Sequence, residues 1–236
     1  MTIRSFKMLG FLLAYPETEL VKHYGDMVKV LREEKILGDK QIKDIEKLIL
    51  HLSTTNLLDI QEEYVALFDR TPSLSLHLFE HVHGEGNERG QAMVDLQSLY
   101  LEEGLEIDAR ETPDYLPMFL EYLAILPFEE AQQCLAEVIN VLSVIGKRLK
   151  GRKSAYATIF NVLEKISKAK PDMELINQAL KDADGHASTN DELDKEWEDQ
   201  PAFDNANVSD GSGCPMAQGA VDRMLEGIDK EGKSNG

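Results

Sequence analysis

The sequence predicts an all-α fold, a single helical-bundle domain followed by an acidic tail. Three observations predict it. Apolar residues recur at i, i+3, i+4 and i+7 through most of the chain up to Ile166. Period-two alternation occurs only at Leu74, Leu76 and Leu78, too short and too isolated to build a sheet. Prolines and glycines fall where helices would begin and end.

The elements follow in order. Arg4 and Lys7 precede the apolar run 8-MLGFLLAY-15, which has the outline of a secretory signal. The run is short and lacks a small-residue cleavage site. It is followed at once by 16-PETEL-20, which reads as a second helix with Pro16 in its first turn, so the run reads as a buried first helix. Val21, Tyr24, Val28 and Leu31 mark the second helix, and Ile42, Ile45, Leu48, Ile49 and Leu52 the third. Ile60, Tyr64, Leu67 and Phe68 mark the next, entered from Thr55 or Asn56 as cap. Met93, Leu96 and Tyr100 form a stripe that stops at Gly104, a left-handed terminator. Thr112 then reads as the cap of a helix with Pro113 at its first position and Leu116, Phe119, Leu120 and Leu123 on one face. Pro127 opens another that carries Leu135, Val138, Ile139, Leu142 and Ile145, with Lys147, Arg148 and Lys150 in its last turn, where cations favour the dipole. Tyr156, Ile159, Phe160, Leu163 and Ile166 make the last stripe.

Composition changes at about residue 182. The last 55 residues carry 14 acidic and four basic side chains with few large apolar ones, the signature of a largely disordered solvating tail. Weak helical patterns interrupt it at 190-NDELDKEWED-199 and around Val221, Met224, Leu225 and Ile228. The expected division is therefore a helical domain over 1–181 and a tail over 182–236.

A chain of 236 residues with formal charge −18, 43 acidic against 25 basic residues, is a poor ligand for nucleic acid or an anionic membrane and suits a partner with a basic segment. Two cysteines are too few for a secreted disulfide scaffold, so the cytoplasm is the expected compartment. No stretch approaches the roughly 20 apolar residues of a membrane span.

The segment 77-HLFEHVHGEGNERG-90 holds three of the six histidines. His77, Glu80 and His81 fit the H-x-x-E-H zinc motif, and Glu80 with His83 fits the E-x-x-H of di-iron bundles. A zinc site needs three or four converging ligands, and neither His23, His51 nor His186 offers an obvious distal one. A di-iron bundle needs a second E-x-x-H and two further glutamates. The glycines of 84-GEGNERG-90 lack the preceding strand and the Lys-Ser/Thr of a phosphate loop. A metal-dependent helical enzyme centred on His77, Glu80, His81 and His83 is thus the rival reading.

The segments 62-EEYVALFDRTPSLSLHLFEHVHGEGNERGQAMVDL-96 and 110-RETPDYLPMFLEYLAILP-127 resemble the nitrate reductase molybdenum cofactor assembly chaperones, the delta-subunit family, whose wider relatives are the chaperones of the TMAO and DMSO reductases. The likeness runs more loosely from 12-LLAYP-16 to about residue 180. It implies a helical redox-enzyme chaperone with no catalytic activity and no cofactor of its own. The implied partner is the apo catalytic subunit of respiratory nitrate reductase, held by its amino-terminal leader-like segment until iron-sulfur and molybdenum cofactors are loaded, with molybdenum cofactor biosynthesis proteins as further partners. The family's Y-x-x-L-F falls on Tyr64, Leu67 and Phe68. The wider family's acidic-Pro-Asp-His element corresponds to 111-ETPDY-115, with Tyr115 where a histidine is common. Position 77 is usually aliphatic in the family, which makes the H-x-x-E-H match accidental.

A basic, amphipathic client helix needs an apolar groove and a carboxylate rim. The expected groove residues are Tyr64, Leu67, Phe68, Pro113, Tyr115 and Phe119, with Leu116 and Leu120 beside them; Leu67, Phe68 and Leu120 are equally readable as core. Glu80, Glu85, Glu111 and Asp114 are the expected rim, with a helix-dipole role for Asp114. His81 and His83 would pair with these carboxylates, their titration near neutral pH tuning release.

Overall fold

The computed structural model describes residues 3–82, 87–107 and 111–184. Among them the chain forms ten α-helices and no strand. The first is α1 (Arg4–Leu13), the predicted apolar run, with Phe6, Leu9, Leu12 and Leu13 wholly buried. It lies along α6 (Leu116–Ile125) and α2 (Thr18–Glu34). Gly10 makes the first contact close: a Cβ there would sit 3.1 Å from the Pro117 carbonyl oxygen. Ile3, ahead of α1, offers no capping oxygen, and α2 supplies one instead. The Glu34 carboxylate accepts from the Arg4 N–H (2.7 Å), the Ser5 N–H (2.7 Å) and the Ser5 hydroxyl (2.6 Å), satisfying orphan donors of the helix start.

The helix α3 (Asp39–Thr54) packs on α2, and α4 (Leu57–Tyr64) follows, with the Asn56 side chain accepting from the Leu58 N–H as a cap. At its end α4 widens into a π turn over Val65–Asp69, closed by Arg70 N–H donating to the Val65 carbonyl. Two 3-10 turns, Pro72–Leu74 and Leu78–His81, lead to α5 (Asn87–Glu102), which ends ahead of Gly104 at φ 78°. After α6 come α7 (Phe128–Glu137), α8 (Ile139–Gly151), α9 (Ala157–Ile166) and α10 (Met173–Asp184). The α8 and α9 helices form the second close pair, and α10 lies against α8 through Val144, Ile176 and Ala179.

Four expectations need correction. Pro16 precedes α2, which starts at Thr18 with Glu17 at the cap. The apolar stripe after Pro127 is two helices, because backbone at Val138 (φ −97°, ψ 7°) breaks it. Thr112 does not cap a helix and Pro113 is not in one: residues 113–115 form a turn, and α6 begins at Leu116 with Pro117 in its first turn. Asp114 therefore precedes the helix. Finally, α10 was not expected as an element. The tail sequence beyond Asp184, including both weak helical patterns, lies outside the described residues. No helix among the described residues is long and apolar enough to cross a membrane.

The α8–α9 contact generates a test. A Cβ on Gly146 would lie 2.8 Å from the Phe160 Cβ, an atom fixed to backbone, whereas Gly25, exposed within α2, has nothing within 4 Å. Gly146→Ala is expected to destabilise by about 1–2 kcal/mol through overpacking, after the helix-propensity gain is subtracted. Gly25→Ala should stabilise by up to about 1 kcal/mol. Urea midpoints of the two variants should move in opposite directions.

Candidate functional site

The two segments that carry the chaperone-like residues meet in a short antiparallel bridge between His77 and Tyr115. Leu78 N–H donates to the Asp114 carbonyl (3.0 Å) and Leu116 N–H to the Leu76 carbonyl (2.8 Å). Leu76, Leu78 and Leu116 are buried, which is what the period-two spacing of the leucines achieves over so short a stretch.

Asp114 locks the bridge. Its carboxylate is fully buried, with Oδ2 accepting from the Phe79 N–H (3.1 Å) and Oδ1 from the Thr112 hydroxyl (2.5 Å). Because Thr112 Oγ1 donates to Asp114, it accepts from His77 Nδ1–H at 2.9 Å, and His77 Nδ1 itself lies 3.5 Å from Asp114 Oδ1. The Tyr100 hydroxyl completes the turn by donating to the Pro113 carbonyl (2.9 Å). Burial pushes the Asp114 carboxyl up, but the hydrogen bonds from His77, Thr112 and the Phe79 amide outweigh it and hold the carboxyl below its ordinary value. The nearby Asp114 carboxylate raises the His77 imidazole above its ordinary value, against the opposing pull of partial burial.

Above the bridge runs a line of tyrosines. The Tyr64 hydroxyl donates to the Leu13 carbonyl (2.9 Å), so the Tyr115 hydroxyl, 3.0 Å away, donates to Tyr64. Burial pushes the Tyr115 phenol up to about 12. Tyr64 also packs edge-on against Tyr15 and at a tilt against Phe68, which continues the stack to Tyr156. The His77 ring lies over the Tyr115 ring with centroids 5.3 Å apart. Tyr15, at 41% exposure, with the half-buried His77 and Tyr115, brings this stack to the surface beside exposed Glu111.

The expected residues therefore divide. Tyr115, Pro113, Glu80 and Glu111 reach the surface. Tyr64, Leu67 and Phe68 lie just beneath it, 4–8% exposed. Phe119, Leu116 and Leu120 are wholly buried and form core, not groove. Asp114 is a buried linchpin, not a rim carboxylate. Glu80 is paired with Arg89 of α5 at 3.3 Å, so its charge is partly answered within the chain. His83 and Glu85 lie outside the described residues. His81 is buried, its Nε2–H donating to the Ser75 carbonyl (2.9 Å), and burial lowers its affinity for a proton. Burial therefore opposes the titrating role expected of it. The imidazole whose protonation the site favours is His77, which along with Thr112 and Tyr15 was not expected in the site. Only the H-x-x-E-H match pointed at His77, and it pointed to metal ligation rather than to a hydrogen bond with Thr112.

Among the described residues, His77, Glu80 and His81 are not brought together as a ligand set. His77 and His81 flank one 3-10 turn, and their imidazoles are committed to different partners, Thr112 and the Ser75 carbonyl. Among the described residues no group of three or more His, Cys, Asp or Glu is placed to hold a metal ion. His51 instead bonds Glu63 at 2.8 Å.

Comparison with known proteins finds relatives over most of the chain. The family model described as nitrate reductase delta subunit matches residues 38–161. The nitrate reductase molybdenum cofactor assembly chaperone NarJ of Escherichia coli (strain K12) is 39% identical over 189 residues, 80% of each chain. The probable chaperone NarW of the same strain is 34% identical over 209 residues, 87% of each chain. The probable chaperone NarJ of Bacillus subtilis (strain 168) is 29% identical over 162 residues, 67% of this chain and 85% of that one.

The signs of the two shifts yield a pH test. A raised folded pKa means that His77 contributes its full stability below its unfolded value, about 6.5, and loses it as pH rises through the folded value. Asp114, with a lowered folded pKa, contributes above its unfolded value, about 3.9, and loses this as pH falls through the folded one. Denaturant melts at pH 5.5, 7 and 8.5 should show the stability gap between wild type and His77→Gln narrowing as pH rises; a constant gap would refute the coupling. Asp114→Ala, which strands the Phe79 amide and the Thr112 hydroxyl, should cost about 2–3 kcal/mol at pH 7.

Proposed function

The chain belongs to the nitrate reductase delta-subunit family of molybdenum cofactor assembly chaperones, and on that premise we propose that it works in the cytoplasm on the apo catalytic subunit of respiratory nitrate reductase. It holds that subunit by an amino-terminal, leader-like segment and keeps it competent for iron-sulfur and molybdenum cofactor insertion before membrane assembly. Its action is binding and release, not turnover of a substrate.

The observation that carries this reading is the surface at the His77–Tyr115 bridge. Tyr15, His77 and Tyr115 offer amphipathic rings with low rotamer entropy to lose, and Glu111 stands exposed beside them. Tyr64, Leu67 and Phe68 support the rings from below, so the surface is held in shape before a client arrives. A client helix with basic and apolar faces fits such a surface better than a hydrophobic trench. Glu80, Pro113 and Asp114 serve by shaping the turn or by lending charge at its edge; His83 and Glu85 follow directly on this segment and belong to the same proposal.

Affinity for a synthetic leader peptide tests the reading. Tyr115→Ala and Glu111→Lys should each weaken binding about tenfold, or roughly 1.4 kcal/mol, while Phe119→Leu should leave it nearly unchanged. Raising salt should slow association with a basic leader. The subunit should co-purify with the chaperone from cells and cease to do so once its first residues are deleted. Wild-type affinity in both surface variants would place the client elsewhere.

A further inference from the structure

For a chain of net charge −18, one region has the opposite character. The carboxyl-terminal end of α8 and the residues after it contribute Lys147, Lys150, Arg152 and Lys153; α10 contributes Lys181; and the π turn is followed by Arg70. Three hydrogen bonds draw these elements together. Arg148 Nη1 donates to the Ser73 carbonyl (2.9 Å) and Nη2 to the Ala179 carbonyl (3.0 Å), while Arg152 Nη1 lies 3.4 Å from Thr71 Oγ1. The α8 dipole accounts for cations in its own last turn. It does not account for Arg70, Arg152, Lys153 or Lys181, which belong to other elements or follow the helix.

Among the described residues, none of Arg70, Lys147, Lys150, Arg152, Lys153 and Lys181 reaches a carboxylate within 4.0 Å. All but Lys147 are exposed. Asp69, beside Arg70, is the only acidic residue in the stretches 69–73 and 147–153, and Asp182 and Asp184 follow Lys181 at the end of α10. A body this acidic would be expected to answer its own cations, and here it does not.

The chain itself carries a ligand of matching charge. Helix α10 ends at Asp184, three residues after Lys181, and the stretch 190-NDELDKEWED-199 places Asp191, Glu192, Asp194, Glu196, Glu198 and Asp199 within ten residues. Asp191 is seven residues past Asp184, at most about 25 Å of extended chain, so the acidic stretch is tethered within reach of the patch. A short tether gives an effective concentration of order millimolar, which makes even a weak electrostatic contact well populated. A nucleic acid or an anionic bilayer would meet the net charge of the whole molecule as repulsion; the tethered segment has no such approach to make.

We propose that the basic patch formed by Arg70, the end of α8 with its following turn, and Lys181 is the docking site for the chain's own acidic segment 190–199. The contact neutralises a cationic face that would otherwise attract acidic proteins, and its strength should depend on ionic strength.

The only tryptophan, Trp197, sits inside the proposed ligand and reports on it without a label. In the full chain at low salt, Trp197 fluorescence should be less quenched by acrylamide than in a free peptide of residues 188–202. It should lose that protection in about 1 M salt, where the screening length is about 3 Å. The full-length triple variant Lys150→Glu, Arg152→Glu, Lys181→Glu should lose the protection at low salt. A control of equal charge change on α3, Lys40→Glu, Lys43→Glu, Lys47→Glu, should keep it, with circular dichroism and urea midpoints verifying that both variants are folded. Free-peptide quenching in the wild type would overturn the proposal and leave the patch open to an acidic partner. Protection indifferent to salt and to the patch charges would overturn it too, by placing the segment on another surface. Protection that disappears on dilution would replace docking within one chain by docking onto a second copy.

Discussion

The buried carboxylate of Asp114 holds together the two segments on which the site is built. A charge with no solvent access is costly unless its oxygens are fully engaged, and here three donors or near-donors converge on them from both sides of the seam: Thr112 and His77 on Oδ1, and the Phe79 amide on Oδ2. The arrangement fixes more than Asp114. With the Phe79 amide occupied, the chain at 78–81 is bent into a 3-10 turn that points His81 inward and leaves His77 on the outer side. With residues 112–115 held in a turn, α6 starts at Leu116 and delivers Phe119 and Leu120 into the core against α1. One ionised side chain thus sets both the direction of a helix and the composition of a surface.

That division explains why a segment rich in distinctive residues exposes so few of them. Tyr64, Phe68, His81, Asp114 and Phe119 are scaffolding, each satisfied by an internal partner or by packing. The outward layer is Tyr15, His77, Pro113, Tyr115 and Glu111. A binding surface with its own supporting layer loses less entropy when it is engaged. The π turn at Val65–Asp69 fits the same logic: the extra residue in the turn keeps Leu67 and Phe68 both facing inward beneath the tyrosines, and wide turns of this kind recur at functional sites.

The helices were legible because burial of one face imposes a 3.6-residue period, and the stripes at Val21–Leu31, Ile42–Leu52 and Tyr156–Ile166 correspond to α2, α3 and α9. The failures share a cause, which is dependence on a distant partner. Thr112-Pro113 has the local chemistry of a helix start, and partners distant in sequence, among them the Phe79 amide 35 residues away, hold Asp114 in a turn instead. The break at Val138 was hidden because apolar residues are in phase on both sides of it. Helix α10 went unread because, among the residues whose burial is described, it buries just Ile176 and Ala179, against α8. In the site, the tyrosines and the 111–115 element were recognisable as a set, but which imidazole titrates depends on burial, and burial is a property of the assembled core.

A chaperone that must let its client go faces a constraint opposite to that of an inhibitor. An extended apolar groove would bind a leader segment tightly and release it slowly, since differences in affinity between related complexes reside mainly in the off-rate. On the proposed function, a narrow strip of three half-exposed or exposed rings beside the exposed Glu111 carboxylate limits the apolar area that a client can cover, and leaves the charged contacts at the solvent-facing edge, where they steer encounter more than they hold. Leu116, Phe119 and Leu120 are core residues that stabilise the fold presenting the strip, and on the proposed function their surface is withheld from the client. On the proposed function, specificity then comes from the rigid spacing of Tyr15, Tyr115 and His77, which the seam fixes from below, and not from the amount of surface available.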